Sequence, residues 1–168
     1  MSASWSTPNR KVTTRVARLA PLGPAAVIAL DSSEFNLFNV MHEPALAGAP
    51  LEIVLNDIRD AGDLNRVFAR VRPDVVFHTA ALKHVPLVEM HPCQGVMTNV
   101  FGTKTVGAGA TAIGAHLVFV STDKAVHPKS VMGATKRLAE LYCSALDCEA
   151  RDDTRRIAVR LGNVLGWA

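Results

Sequence analysis

The sequence predicts an α/β protein whose parallel sheet carries helices on both faces. Short apolar runs alternate with longer amphipathic stretches in a β-α-β rhythm, and parallel strands need such helix-length connections. The strands end in polar residues, at Asp31, Asn56-Asp57, Thr79 and Ser121, where open α/β sheets hold their ligands. The 168 residues, 49% of them hydrophobic, leave room for one such domain with a sizeable core and for no second one.

Ala26 to Leu30 is predicted as a strand that ends at Asp31, and Glu52 to Leu55 as the next, ending at Asn56-Asp57. Asp60 to Arg70 has the helical period and is closed by the Arg72-Pro73-Asp74 turn, since proline disfavours helical backbone in the residue before it. Val75 to Phe77 is a strand, His91 to Ile113 contains a long helix, and Leu117 to Val120 is a buried strand. Ser130 to Cys143 is helical, Asp152-Asp153 lies in a loop, and Arg156 to Arg160 forms the last strand. The chain has no internal repeat and no low-complexity tract.

Composition narrows the function classes. The net charge is +3 and the basic residues are scattered, apart from Arg151 and the Arg155-Arg156 pair, so the one-sided cluster that nucleic acid requires is not expected. Cys93, Cys143 and Cys148 lack metal-type spacing, and their odd number argues for free thiols in a reducing compartment. His84, His91 and Cys93 come nearest to a metal set, and no metal is expected. No run reaches the roughly 18 consecutive apolar residues of a membrane span and the N-terminus has no apolar signal core, so the expected location is cytoplasmic.

The chemistry concentrates after the Leu117 to Val120 run. Ser121-Thr122-Asp123-Lys124 places a hydroxyl, a carboxylate and an ammonium in successive residues where the strand leaves the sheet. Met132 and Lys136 follow at i, i+4 spacing on a predicted helix, so their side chains share a face. A plain strand-end turn is the alternative for Thr122 to Lys124. Asp31 sits where a carboxylate accepts hydrogen bonds from an adenosine ribose, although Asp31-Ser32-Ser33-Glu34 also reads as a helix cap. The small residues Thr79-Ala80-Ala81 would let a cofactor lie against the backbone, or serve only tight helix packing. Asn99 falls inside a predicted helix, where a polar amide is unfavourable unless it bonds something.

Five stretches carry a resemblance: Ala80 to Glu89, Thr98 to Thr103, Ser121 to Ala125, Ser130 to Glu140 and Arg160 to Gly166. They resemble the CapD-type nucleotide-sugar 4,6-dehydratases of bacterial polysaccharide biosynthesis. These are extended short-chain dehydrogenase/reductases that act on UDP-N-acetylglucosamine or close relatives. The resemblance runs from Leu19 to Gly166. It implies a Rossmann-like doubly wound parallel sheet, with residues 19–168 a partial NAD(P)-binding domain behind an atypical segment 1–18.

By the same resemblance, Asp57-Ile58 contacts adenine, with a plain loop aspartate as the alternative. Lys83 and His84 border the sugar nucleotide, though Lys83 is equally readable as a solvated surface lysine; Asn99 is the structural asparagine beneath the active site; and Asn163 contacts the diphosphate. A 4,6-dehydratase moves hydride from sugar carbon 4 to the nicotinamide, eliminates water across carbons 5 and 6, and returns the hydride to carbon 6. Asp123 is then the acid for the departing hydroxyl, Lys124 the base at carbon 5, and Thr122 the hydrogen-bond partner of the carbon 4 oxygen. Lysine acts as a base when its pKa is depressed, which burial and the neighbouring Lys136 are expected to supply. Lys136 binds the nicotinamide ribose. Met132 stands where many short-chain enzymes have tyrosine; part of the CapD-type family also has methionine there. Asp31 favours NAD over NADP, because a 2′-phosphate is repelled.

Met1 to Arg18 contains no glycine, whereas the family opens with a strand and a G-x-x-G-x-x-G turn that cradles pyrophosphate. Only Trp167-Ala168 follows Gly166. The expectation is therefore an incomplete fold lacking the first strand and the C-terminal substrate region, with weak NAD binding and little turnover. The competing expectation is a non-catalytic remnant that associates with an intact paralogue; a homo-oligomer is the other partnership expected.

Overall fold

The computed structural model describes residues 20–46, 48, 50–150 and 153–162. The atypical segment 1–18, Arg151, Asp152 and the candidate Asn163 lie outside the described residues. The chain forms two compact units, one ending at Asp57 and the other beginning at Ile58.

In the first unit, β1 (Val27–Asp31) and β2 (Leu51–Leu55) pair in parallel, from Val27 opposite Leu51 to Asp31 opposite Leu55. The crossover helix α1 (Glu34–Met41) starts at Ser33, whose Oγ accepts the Asn36 N–H at 3.3 Å. Leu37 and Val40, three residues apart and so on one helix face, close a small core with Ala29 and Leu46.

In the second unit a parallel sheet runs in the order β3 (Val75–His78), β4 (His116–Thr122), β5 (Arg156–Leu161). The rhythm of the sequence predicts one sheet through all five strands; the described strands form two sheets, of two and three strands. Helix α2 (Ala61–Val71) begins at Asp60, whose carboxylate accepts the Asp63 N–H at 3.0 Å. It ends at Arg72, in the left-handed region at φ 39° and directly before Pro73. After β3 come a short helix α3 (Val85–Met90) and α4 (Pro92–Val96). A π-helical stretch, Met97–Phe101, then leads into α5 (Gly102–Ala112). The long helix expected over these residues is thus widened around Asn99, and such π stretches gather at functional sites.

The longest helix, α6 (Val131–Glu149), joins β4 to β5 and runs six residues beyond its predicted end. Leu117 and Phe119 on β4 are fully buried, as are Ala110 on α5 and Ala139 and Cys143 on α6. Side chains alternating to the other sheet face, Val75, Phe77, Ile157, Val159 and Leu161, are exposed. Within this unit, among the described residues, the helix cover predicted for both faces of the sheet lies on one.

Candidate active site

Thr122 ends β4 in extended backbone and opens a single 3-10 turn, Asp123–Ala125. Its hydroxyl donates to Asp123 Oδ1 at 2.9 Å and accepts the Lys124 N–H at 3.4 Å. That hydroxyl, with the Lys124 ammonium 3.8 Å away, holds the Asp123 carboxyl below the ordinary range. The strand-end turn and the cluster of functional groups are one object, since the hydroxyl that caps the turn also orients the carboxylate. The burial expected of Lys124 is absent: half of its side chain is exposed, and so is more than half of that of Asp123.

Helix α6 packs closely against this turn, its Gly133 lying next to the Lys124 carbonyl. Ser130 caps its first turn, Oγ accepting the Gly133 N–H at 3.1 Å. Met132 and Lys136 share a face, as their spacing requires, and both are buried. The Lys136 ammonium donates to the Val120 carbonyl at 2.8 Å and lies 4.4 Å from the centre of the Phe119 ring. It therefore sits under the last residues of β4, satisfied by a carbonyl and an aromatic face.

Asn99 is 1% exposed. Its Oδ1 accepts the Leu82 N–H at 2.8 Å, and its Nδ2 donates to the Leu82 carbonyl at 2.9 Å and to Thr135 Oγ1 at 3.0 Å. Both amide hydrogens are used within the protein. It ties the loop after β3 to α6. Ile58, expected against an adenine ring, is buried against Gly102, where an added Cβ would stand 2.5 Å from Ile58 Cδ1.

The loop after β3 carries Thr79, Ala80 and Ala81, then the exposed Lys83 and His84, of which His84 precedes α3 without a side-chain cap bond. In the first unit, Asp31 accepts the Ser33 N–H at 2.9 Å and the Asn36 side chain at 3.1 Å. These bonds give Asp31 the local capping work while leaving a carboxylate further lone pairs for a ribose. Asp57, at the end of that unit, is half-buried.

Two buried groups escaped the sequence reading. His78, the last residue of β3, is 3% exposed and places Nε2 2.9 Å from Thr103 Oγ1. Thr103 donates its single hydroxyl hydrogen to the Asn99 carbonyl at 2.7 Å, so Nε2 is the ring nitrogen that carries hydrogen. Burial, assisted by the Lys136 charge, pushes the His78 pKa down to about 3. The other group is Glu140 on α6, 3% exposed, gripped by Arg160 Nε at 2.8 Å and Nη2 at 2.7 Å and by Arg137 at 3.1 Å. The Arg160 fork dominates, and the Ser121 hydroxyl leans on the same carboxylate without good hydrogen-bond geometry; the pKa falls to about 2. This pair pins α6 to β5.

Both arginine partners are about 40% exposed and can turn to water when the carboxylate is removed. Glu140→Ala is accordingly expected to cost only about 1–2 kcal/mol, read from urea unfolding, with Glu140→Gln recovering part of it. Loss beyond that range would show that the arginines are held and cannot resolvate.

Residues 10–168 match the model of the family described as polysaccharide biosynthesis protein. Similarity to the capsular polysaccharide biosynthesis protein CapD of Staphylococcus aureus is 37% identity over 153 residues, 89% of this chain and 25% of CapD. The UDP-N-acetylglucosamine 4,6-dehydratase (inverting) of Campylobacter jejuni is 32% identical over 138 residues, 81% of this chain and 39% of that enzyme. The crystal structure of DesIV, a dTDP-glucose 4,6-dehydratase from Streptomyces venezuelae with NAD and TYD bound, superposes with a TM-score of 0.73 at 29% identity. That superposition covers 89% of this chain and 52% of DesIV. The fold is thus the Rossmann-like one of the nucleotide-sugar dehydratases, and the chain belongs to the polysaccharide biosynthesis protein family. It spans between a quarter and about half the length of these relatives.

Proposed function

We propose that the chain is the nucleotide-binding part of a UDP-N-acetylglucosamine-type 4,6-dehydratase serving polysaccharide synthesis. The observation that carries this reading is the Thr122-Asp123-Lys124 turn, with an acid and a basic group 3.8 Å apart at the exit of β4. Lys136 lies beneath the last residues of that strand. Hydride transfer alone needs no such pair; elimination of water needs both an acid and a base.

Within the second unit the strand exits suit a nucleotide cofactor, with small residues after β3 and a lysine beneath the end of β4; in the first unit β1 ends in a carboxylate. A nicotinamide cofactor supplies the hydride acceptor and donor when bound. NAD is preferred to NADP because the Asp31 carboxylate repels a 2′-phosphate. Thr122 hydrogen-bonds the carbon 4 oxygen, Asp123 protonates the departing carbon 6 hydroxyl, and Lys124 removes the carbon 5 proton. Asp123 is ionised at rest, held so by Thr122 and Lys124, and the Lys124 ammonium 3.8 Å away carries the matching proton. Passage of that proton from Lys124 to Asp123 as substrate displaces water leaves the carboxylic acid and the free amine that the elimination needs. Met132 offers no proton and packs beneath the site. Lys83 and His84 face the nucleotide sugar from the loop after β3.

Prolonged incubation with excess NAD and UDP-N-acetylglucosamine should yield, slowly, a product lighter by one water, a 4-keto-6-deoxy sugar. Asp123→Asn and Lys124→Met should each lower its formation by about 100-fold. A carbon 4 epimer of unchanged mass would replace this reading with an epimerase. Absence of both product and UDP-N-acetylglucosamine binding would overturn it.

A further inference from the structure

We propose that Glu89 is a positioning residue that, with Asn99, holds the loop carrying Lys83 and His84 in one fixed geometry against the helix carrying Met132 and Lys136. Its functional consequence rests on the dehydratase reading above. The starting observation is a bond across 42 residues of sequence: Glu89 Oε1, on α3, accepts the backbone N–H of Val131 at 2.7 Å.

Val131 is the first residue of α6, and its N–H is one of the amides that a helix start leaves without an internal partner. Ser130 caps the Gly133 N–H and leaves that of Val131 to another acceptor. A carboxylate is favoured there by both hydrogen bonding and the helix dipole. Glu89 is surface-exposed, so no packing requirement accounts for a carboxylate at this position.

Glu89 lies near the end of α3, one residue before its last, Met90. At the other end of the same segment, Leu82 is held through both of its backbone groups by Asn99, which also bonds Thr135 on α6. The segment from Leu82 to Glu89 is therefore stapled to α6 at both ends. At the Glu89 end Val88 packs close as well, for an added Cβ on Gly95 of α4 would stand 2.6 Å from Val88 Cγ1 and 4.0 Å from Thr135 Cγ2. Thr135 is flanked by Met132 and Lys136 on the same helix, so the staples act on the turn of α6 that carries them. Lys83 and His84 lie between the two staples.

Glu89→Ala removes the acceptor, whereas Glu89→Gln keeps an amide oxygen at the same reach. In the purified chain, amide hydrogen exchange of Val131–Gly133 and of Leu82–His84 should rise together in Glu89→Ala, by about tenfold, the loss expected for one charge-assisted bond. Both should remain near the original rates in Glu89→Gln. UDP-N-acetylglucosamine, titrated calorimetrically, should bind about tenfold more weakly to Glu89→Ala and nearly normally to Glu89→Gln. Faster exchange confined to Val131–Gly133, or a glutamine variant no better than alanine, would overturn the proposal. If the unaltered chain does not bind the nucleotide sugar, the dehydratase reading fails by that arm alone, and the exchange arm still decides the role of Glu89.

Discussion

Acidification from pH 6.5 to 3 should remove about 4–5 kcal/mol of unfolding free energy through His78 alone. The folded chain keeps this imidazole neutral down to about pH 3, because burial, reinforced by the Lys136 ammonium, opposes a second positive charge. An unfolded chain takes up the proton near pH 6.5. Between those values the unfolded state binds more protons, so stability decreases as the pH is lowered; above 6.5 neither state is charged at this site and the contribution is flat. Glu140 adds a second window that overlaps the lower part of the first and extends below it. Its folded pKa is depressed from 4.5 to about 2, so the stability it supplies is complete above pH 4.5 and is lost toward pH 2.

The two windows separate the residues. His78→Gln retains an amide hydrogen for Thr103 Oγ1 and does not titrate, so its urea-unfolding free energy should be nearly flat from pH 6.5 to 4.5 and fall only below. An unchanged slope in that variant between pH 6.5 and 4.5 would mean that the acid sensitivity arises elsewhere. Lys136 therefore lies near a neutral neighbour. His78 packs 5.4 Å from Phe119, the same ring that Lys136 overlies, and a charged imidazole there would compete with the ammonium for that environment.

Which parts of this architecture were legible in the sequence depends on the range of the interaction. Local chemistry was: the helix beginning near Asp60, its closing turn at Arg72-Pro73-Asp74, the helix beginning near Ser130 and the polar strand exits all depend on residues a few positions apart. The common face of Met132 and Lys136 followed from helical geometry, but which way that face turned did not, and the structure turns it inward onto Phe119 and Val120. Interactions across long stretches of chain were not legible. Asn99 meets Leu82 across 17 residues, Glu140 meets Arg160 across 20 and Glu89 meets Val131 across 42, and no periodicity encodes such partners. The β-α-β rhythm announced parallel strands but not their partners. The alternating Ile157, Val159 and Leu161 read as half of a covered strand, yet those side chains are exposed.

An alanine at Gly133 is expected to destabilise the chain by about 2–3 kcal/mol, although glycine to alanine inside a helix ordinarily stabilises by up to about 1 kcal/mol. Gly133 lies in the first turn of α6, and an added Cβ there would stand 2.6 Å from the Lys124 carbonyl oxygen and 3.3 Å from Ser130 Oγ. A backbone oxygen cannot rotate away as a flexible side chain can. Either the Asp123–Ala125 turn or the start of α6 must move, and each movement shifts Asp123 and Lys124 relative to Lys136. Gly62, near the start of α2, is the control: its added Cβ meets only Asp60 Oδ1, at an ordinary 3.5 Å. Gly62→Ala should therefore raise stability by about 0.5 kcal/mol. Urea unfolding of both variants should move in opposite directions, and where dehydration is measurable Gly133→Ala should lower its rate by about tenfold or more, as misplacement of reacting groups does. A Gly133→Ala chain as stable as Gly62→Ala would show that α6 does not press against the strand-exit turn. The placement of Thr122, Asp123 and Lys124 beside the Lys136 helix would fail with it.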